Sequence, residues 1–296
     1  MFNKILVPLD GSTLSERALP LALTLGQLPG AEVILARVPT EDAQTTADGH
    51  RPDQSRTDAQ VYLDTLRLSH QQSGLTLRAR LMNGHAASAI VDMAAAEGAD
   101  LIVMSTHGYS GVTRWLLGSV TEKVLRTAPC PVLAVRTPNP IRQIAITLDG
   151  SELSERALAP GLELACRLHA DVTLLRCVPY AAINGSLDEV EHGLGRRLQQ
   201  DLIDEAAAYL TARSERSASS GVAIKTEVRV GPAADNIYEF VEAYGTDLIV
   251  MATHGRTGVQ RWVYGSVTEK VLHSVNTSLL VVRPVTTTRY SMRSSE

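Results

Sequence analysis

The chain repeats itself, and that repetition limits its fold more than any other feature. Leu9-Asp-Gly-Ser-Thr-Leu-Ser-Glu-Arg-Ala-Leu19 recurs as Leu148-Asp-Gly-Ser-Glu-Leu-Ser-Glu-Arg-Ala-Leu158, with one difference, Thr13 against Glu152. Asp100–Leu125 recurs as Asp247–Leu272, differing at six of 26 positions: Ser105/Ala252, Tyr109/Arg256, Ser110/Thr257, Thr113/Gln260, Leu116/Val263 and Leu117/Tyr264. Between these blocks the halves keep a pattern but not their letters. A fold constraint preserves hydrophobicity. Identical His-Gly, Arg-Trp and Gly-Ser-Val-Thr-Glu-Lys strings indicate a site kept twice.

Within each half, short apolar runs alternate with helical spacing. Lys4–Asp10, Glu32–Val38, Leu75–Met82, Leu101–Ser105 and Pro131–Arg136 read as strands buried on both faces. Helices are expected over Leu14–Leu25, about Asp58–Ser73, Ala86–Glu97 with Gly98 as its stop, and Ser119–Thr127. Ser12 is the expected N-cap of the first. Residues 40–57 are polar and aperiodic and read as a loop. Strand–helix alternation predicts an α/β fold with a mainly parallel sheet. Thr137-Pro-Asn-Pro140 reads as a linker between domains at 1–137 and 141–286.

Composition narrows the function. Of 296 residues, 44% are hydrophobic and 20% charged, with a net charge of −4, and aromatics are only 4%. That argues against a polyanion-binding surface or a base-stacking platform, so no nucleic-acid role is expected. No apolar run approaches the roughly 20 residues of a membrane span, and no signal-peptide pattern precedes the first strand. Cys130, Cys166 and Cys177 are odd in number and lack CxxC spacing, consistent with a reducing compartment and thiols serving as small core residues. A cytoplasmic location is expected.

The chemistry concentrates at the end of the fourth strand of each half. Gly108 and Gly111 permit close backbone approach, and Gly118-Ser119 opens a helix whose N–H groups and dipole suit a phosphate. Ser119 and Glu122, repeated as Ser266 and Glu269, have capping-box spacing, and the hydroxyls of Ser119 and Thr121 are further donors. The stretch is neither a Walker A sequence nor a GxGxxG. Asp10 and Asp149 end the first strands, which strand-order reversal would set beside the fourth. There an acidic side chain can accept ribose hydroxyls, hold a metal through a Mg-nucleotide, or close an Asx turn. His107 and His254 have no sequence-visible partner beyond those aspartates, and no metal-ligand spacing is present.

These residues resemble the universal stress protein family, in its tandem form. The resemblance covers both halves and rests on Val7-Pro-Leu-Asp-Gly-Ser12, on Met104-Ser-Thr-His-Gly-x9-Gly-Ser-Val-Thr-Glu-Lys123, and on Pro129-Cys-Pro-Val-Leu-Ala-Val135. It implies two Rossmann-like domains of the adenine nucleotide alpha hydrolase type. Each would be a five-stranded parallel open sheet with helices on both faces. The fifth strands, Pro131–Arg136 and Ser278–Arg283, would associate as an internal pseudo-dimer or between two chains. Some members bind ATP through Gly-x2-Gly-x9-Gly-Ser/Thr. Carried over, Gly108, Gly118, Ser119, Val120 and Thr121 would hold phosphate, and Pro8, Asp10, Val38 and Met104 would line the adenosine side, with Ser105 and His107 in the loop between. The second half offers Asp149, Val178, Met251, Ala252, His254, Gly255, Gly265, Ser266, Val267 and Thr268. Two departures stand out: the motif's first glycine is Ser105 and Ala252 here, and Pro8 becomes Thr147. The leading expectation is an ATP-binding stress-response regulator. A slow ATPase or nucleotidyl-transfer enzyme and an adaptor with vestigial sites are the rivals.

Overall fold

The structure, a computed structural model, describes residues 2–39, 52–71, 74–106, 117–181, 189–253 and 265–283. The first half runs β1 (Lys4–Pro8), a 3-10 turn (Ser15–Ala18), α1 (Leu19–Leu25), β2 (Glu32–Arg37), α2 (Pro52–Ser69), β3 (Thr76–Leu81), α3 (Ala86–Glu97), β4 (Leu101–Ser105), α4 (Ser119–Thr127) and β5 (Val132–Val135). The second runs β6 (Gln143–Thr147), α5 (Glu152–Glu155), α6 (Leu158–Leu168), β7 (Asp171–Val178), α7 (Glu189–Arg216), β8 (Ile224–Val230), α8 (Ala233–Tyr244), β9 (Leu248–Ala252), α9 (Ser266–Ser274) and β10 (Ser278–Val282). This is the α/β alternation that the sequence pattern predicts.

Local chemistry explains most boundaries. Gly98 stops α3 in the left-handed conformation, φ 62°, and its N–H reaches the Ala94 and Ala95 carbonyls. The first helix begins later than expected, after a 3-10 turn, and Ser12 is not its N-cap: Ala18 holds that position in α1 and Leu14 in the 3-10 turn, while the Ser12 hydroxyl accepts the Ser15 N–H (3.1 Å). The expected loop over 40–57 is cut short because α2 already begins at Pro52, whose fixed φ suits a first helical turn. That helix ends at Ser69 rather than Ser73, and of its expected apolar residues Leu63 is buried while Val61 and Leu68 lie exposed.

The strands form one sheet, in the order β3-β2-β1-β4-β5-β10-β9-β6-β7-β8. Each half contributes the expected five strands, but to one continuous sheet rather than to two. Each half is parallel, but β5 and β10 pair antiparallel at the centre, with Leu133 opposite Leu280. Both strands are buried along their whole length, so as free edges they would present apolar surface and unpaired backbone groups to water. Pairing removes both costs. The helices α3, α4, α8 and α9 cover one face, packing Ile90, Leu125, Ile237 and Leu272. The helices α1, α2, α6 and α7 cover the other, with Leu25, Leu63, Leu164 and Leu210.

Side chains reinforce this arrangement. Asp100 Oδ2 accepts the N–H groups of Asn3 and Lys4 (3.0 Å each), tying β4 to β1, and Asp247 does the same for Arg142 (2.8 Å) and Gln143 (3.0 Å). Arginines bind the halves together. Arg136 donates to the Leu272 carbonyl in the last turn of α9, and Arg283 donates to the Ala128 carbonyl at the end of α4 (3.1 Å). Cations there complement the negative ends of those helices. On the opposite face Arg167, 7% exposed at its side chain, donates to the Phe2 carbonyl (2.8 Å), the Leu25 carbonyl (3.2 Å) and Glu163 (2.8 Å). Replacing Arg167 by Met strands two carbonyls and a carboxylate, so Arg167→Met is expected to cost about 2 kcal/mol in urea unfolding. With a shared sheet the loss should appear in a single transition. Two resolved transitions would show that the halves unfold independently.

Candidate functional site

The register of the sheet assembles the site. Ile5 and Leu6 of β1 pair with Leu101 and Ile102 of β4, so the C-terminal ends of these strands lie side by side. Such strand ends, where strand order reverses, form the ligand crevice of open α/β sheets. Asp10 leaves β1 into a tight turn: its Oδ1 accepts the Ser12 N–H (2.9 Å) and the Ser12 hydroxyl (2.6 Å), and Gly11 takes φ 88°. The second half reproduces this with Asp149 and Ser151 at the same two distances and with Gly150 at φ 85°. Asp10 thus closes an Asx turn while also lining the crevice. Of the roles weighed in the sequence, the Asx turn is the one observed.

On the other side, α4 begins differently from the capping box expected. Gly118, not Ser119, is the N-cap; its carbonyl accepts the Glu122 N–H (2.9 Å), and no side chain caps the helix. The Gly118 N–H donates to the Thr106 carbonyl (2.9 Å), which fixes the helix start against the end of β4. The same replacement occurs at Gly265, which donates to Thr253 (2.6 Å). Two consequences follow. The N–H groups of Ser119, Val120 and Thr121 are left without partners inside the helix, at the positive end of its dipole. The Thr121 hydroxyl is not a ligand donor: it is buried and donates to the Ser105 carbonyl (3.0 Å), as Thr268 does to Ala252 (3.2 Å).

Between these walls lies a cavity of about 180 Å³. Pro8, Asp10, Val38, Met104, Ser105 and the run Gly118–Thr121 all line it. Met82, just after β3, and Ala86 and Ile90 of α3 complete the apolar side. The second cavity, about 260 Å³, is lined by Asp149, Met251, Ala252 and Gly265–Thr268, with Thr147 in the place of Pro8. Val178 does not line it. Cys177 does, because the β6–β7 register places Cys177 where β2 leads to Val38, and a one-residue step turns a side chain to the other face. Ala233 and Ile237 match Ala86 and Ile90. Sequence reasoning missed Met82 and these α3 and α8 residues because small and aliphatic letters in the divergent middles carry no chemical signature; only the topology brings them in. His107, Gly108, His254 and Gly255 lie outside the described residues. Among the described residues no His, Cys, Asp and Glu cluster suited to a metal ion is present.

The sequence pattern of the Universal stress protein family matches residues 1–136 and again 140–283, nearly the whole chain. The chain belongs to the universal stress protein family. A universal stress protein of Bacillus subtilis, YxiE, is 33% identical over 148 residues, which is 46% of this chain and all of that protein. Tandem relatives match end to end: the universal stress protein Mb2028c of Mycobacterium bovis is 25% identical across 94% of this chain and 96% of its own. The crystal structure of a universal stress protein from Archaeoglobus fulgidus superposes with a TM-score of 0.71, covering 96% of this chain and 99% of that one at 19% identity, a likeness of fold. Among the described residues of this universal stress protein, no helix is long and apolar enough to cross a membrane.

The thiols separate sharply. Cys130 is buried, and burial pushes its pKa up to about 12; burial likewise raises Cys177, in the second cavity, to about 11. Cys166, expected in the core, is instead exposed on α6. Thiolates are the reactive species, so raised pKa values keep Cys130 and Cys177 inert at neutral pH. Timed alkylation of the native protein with peptide mapping should find Cys166 modified first, with Cys177 following only as pH approaches 11. Rapid labelling of Cys177 at pH 7 would contradict the described second cavity.

Proposed function

We propose that this universal stress protein binds ATP in its first half, and more weakly in its second, and serves in stress response as a nucleotide-dependent regulator. Family membership supports the stress-response role. The observation that carries the nucleotide reading is the pairing, across one small cavity, of an aspartate at the end of β1 with the uncapped N-terminus of α4. The apolar slot of Val38, Met82, Ile90 and Met104 accepts an adenine ring, Asp10 accepts ribose hydroxyls, and the Ser119–Thr121 N–H groups take phosphate oxygens. Mg²⁺ would enter with the triphosphate. Neither an activated nucleophile nor a positioned base lies among the described residues lining the cavity, which favours binding over turnover. The second half substitutes Thr147, Cys177 and Ala252 for Pro8, Val38 and Ser105 in a wider cavity, so its grip on the same ligand is looser.

Gly118 provides the test. Its φ of −62° suits any L residue, so valine there adds bulk at the cavity wall without straining the backbone. Gly118→Val should weaken ATP binding by about tenfold or more in calorimetry, and should reduce the nucleotide released from freshly purified, denatured protein as seen by mass spectrometry. Gly265→Val should leave the tighter site intact. Unchanged ATP binding in Gly118→Val would refute the phosphate assignment.

A further inference from the structure

A three-residue arrangement recurs beneath both aspartate turns, on the sheet face opposite the cavities. Arg37, at the end of β2, lies on the face that carries Val33 and Leu35. Its guanidinium lies against the backbone of Gly11: a Cβ on that glycine would sit 2.9 Å from Cζ, Nη1 and Nη2 alike. From below, the Tyr62 ring of α2 stacks on the same guanidinium, with Cζ 4.8 Å from the ring centroid. The Tyr62 hydroxyl donates to Glu16 Oε1 (2.8 Å), in the 3-10 turn that follows the aspartate turn. Arg37 is therefore clamped between an aromatic ring and the Gly11 backbone, and the ring is anchored to the 3-10 turn that follows.

The second half repeats the arginine–tyrosine–glutamate part of this unit, with two additions: Arg176 also pairs with Glu205 of α7 (3.5 Å), and Arg213 lies 4.9 Å over the same tyrosine ring. Arg176 lies 4.8 Å over the Tyr209 ring, and the Tyr209 hydroxyl donates to Glu155 Oε1 (3.0 Å), which also accepts from Arg213 (2.7 Å). The recurrence is informative because α2 and α7 have otherwise diverged. Across Asp58–Ser69 and Glu205–Arg216 the only shared letters are Ala59/Ala206, Tyr62/Tyr209 and Leu63/Leu210. The alanines and leucines are core residues, buried nearly completely. The tyrosines are only half buried, and the core alone would accept leucine or phenylalanine there.

We propose that Arg37, Tyr62 and Glu16, and their counterparts Arg176, Tyr209 and Glu155, are positioning residues that hold each aspartate turn so that its carboxylate is presented to the ribose of the bound nucleotide. The inference deepens the ATP-binding reading and rests on it. The guanidinium acts in two ways. It stacks flat against a glycine whose left-handed φ admits no side chain, and it sets a positive charge beneath the turn that carries Asp10. Tyr62 experiences both charges, Arg37 and Asp10, which places all three groups in one electrostatic cluster. Cation–π stacking holds the guanidinium while leaving it able to face the turn.

The test combines ligand discrimination with amide exchange, so that this proposal and the nucleotide reading can fail separately. Affinities for ATP and 2′,3′-dideoxy-ATP are measured by calorimetry for the full chain and for Tyr62→Leu, Tyr62→Phe, Glu16→Gln and Asp10→Ala. The preference for ATP should vanish in Asp10→Ala and fall at least threefold in Tyr62→Leu, with Tyr62→Phe and Glu16→Gln intermediate. A purely structural role would lower both affinities in proportion and leave their ratio unchanged, which would overturn the proposal. Without nucleotide, the Ser12 and Ser15 amides, bonded to Asp10 and to the Ser12 hydroxyl, should exchange at least tenfold faster in Tyr62→Leu, and the Ser151 and Ser154 amides should not. Tyr209→Leu should reverse that pattern. If Tyr62→Leu does not fold, Glu16→Gln decides by the same ratio and the same amides. Unaltered exchange refutes the positioning role. Absence of ATP binding in the unmodified chain, with the exchange pattern present, refutes only the nucleotide reading.

Discussion

The antiparallel pairing of β5 with β10 is the interaction on which the rest of the molecule depends. Two fully apolar strands that would otherwise be exposed edges satisfy each other, and two parallel half-sheets become one ten-stranded sheet. Because the join is antiparallel, the C-terminal ends of the strands in the two halves point in opposite directions. The two crevices therefore open at opposite ends of the strands while sharing one helix-covered face. The same join brings each half's last arginine to the end of the other half's last helix, so Arg136 and Arg283 cap α9 and α4 reciprocally. The helices capped in this way are the ones whose opposite ends face the cavities.

Each site is economical. One backbone hydrogen bond, from Gly118 to Thr106, pins the start of α4 to the end of β4 and removes any need for a capping side chain. The N–H groups of the first turn, without partners inside the helix, then lie at the cavity wall, while the Thr121 hydroxyl is used internally on Ser105. Across the gap, Asp10 and Ser12 organise their own turn, and Arg37 with Tyr62 supports it from behind. Ligand-facing groups whose own orientation is fixed by neighbours behind them are what precise ligand placement requires.

Much of this was legible in the letters, for identifiable reasons. Strands such as Leu101–Ser105 and the helix Ala86–Glu97 declare themselves through apolar runs and a terminal glycine, and Gly98 adopts the φ that its position implies. The repeated blocks locate Asp10, Asp149 and the helix starts because their identity exceeds what packing demands. Other features were hidden. The spacing of Ser119 and Glu122 imitates a capping box, but the glycine one residue earlier has a carbonyl partner 12 residues back in sequence, and spacing alone cannot reveal it. Cys177 replaced Val178 in the cavity because facing is set by strand register, not by resemblance of letters. Arg37, Tyr62 and Glu16 meet from three separate elements, so their repetition becomes visible only once the fold superimposes the halves.

The central claim is that the start of α4 seats the phosphates of a nucleotide bound beside Asp10. The most direct measurement is an ATP titration followed by amide resonances of the isotopically labelled protein. The account predicts that Ser119, Val120 and Thr121 shift together with Ser12 and saturate on one isotherm, and that adenosine moves Ser12 but leaves the three helix amides in place. Saturable ATP binding that leaves Ser119–Thr121 unperturbed would contradict it.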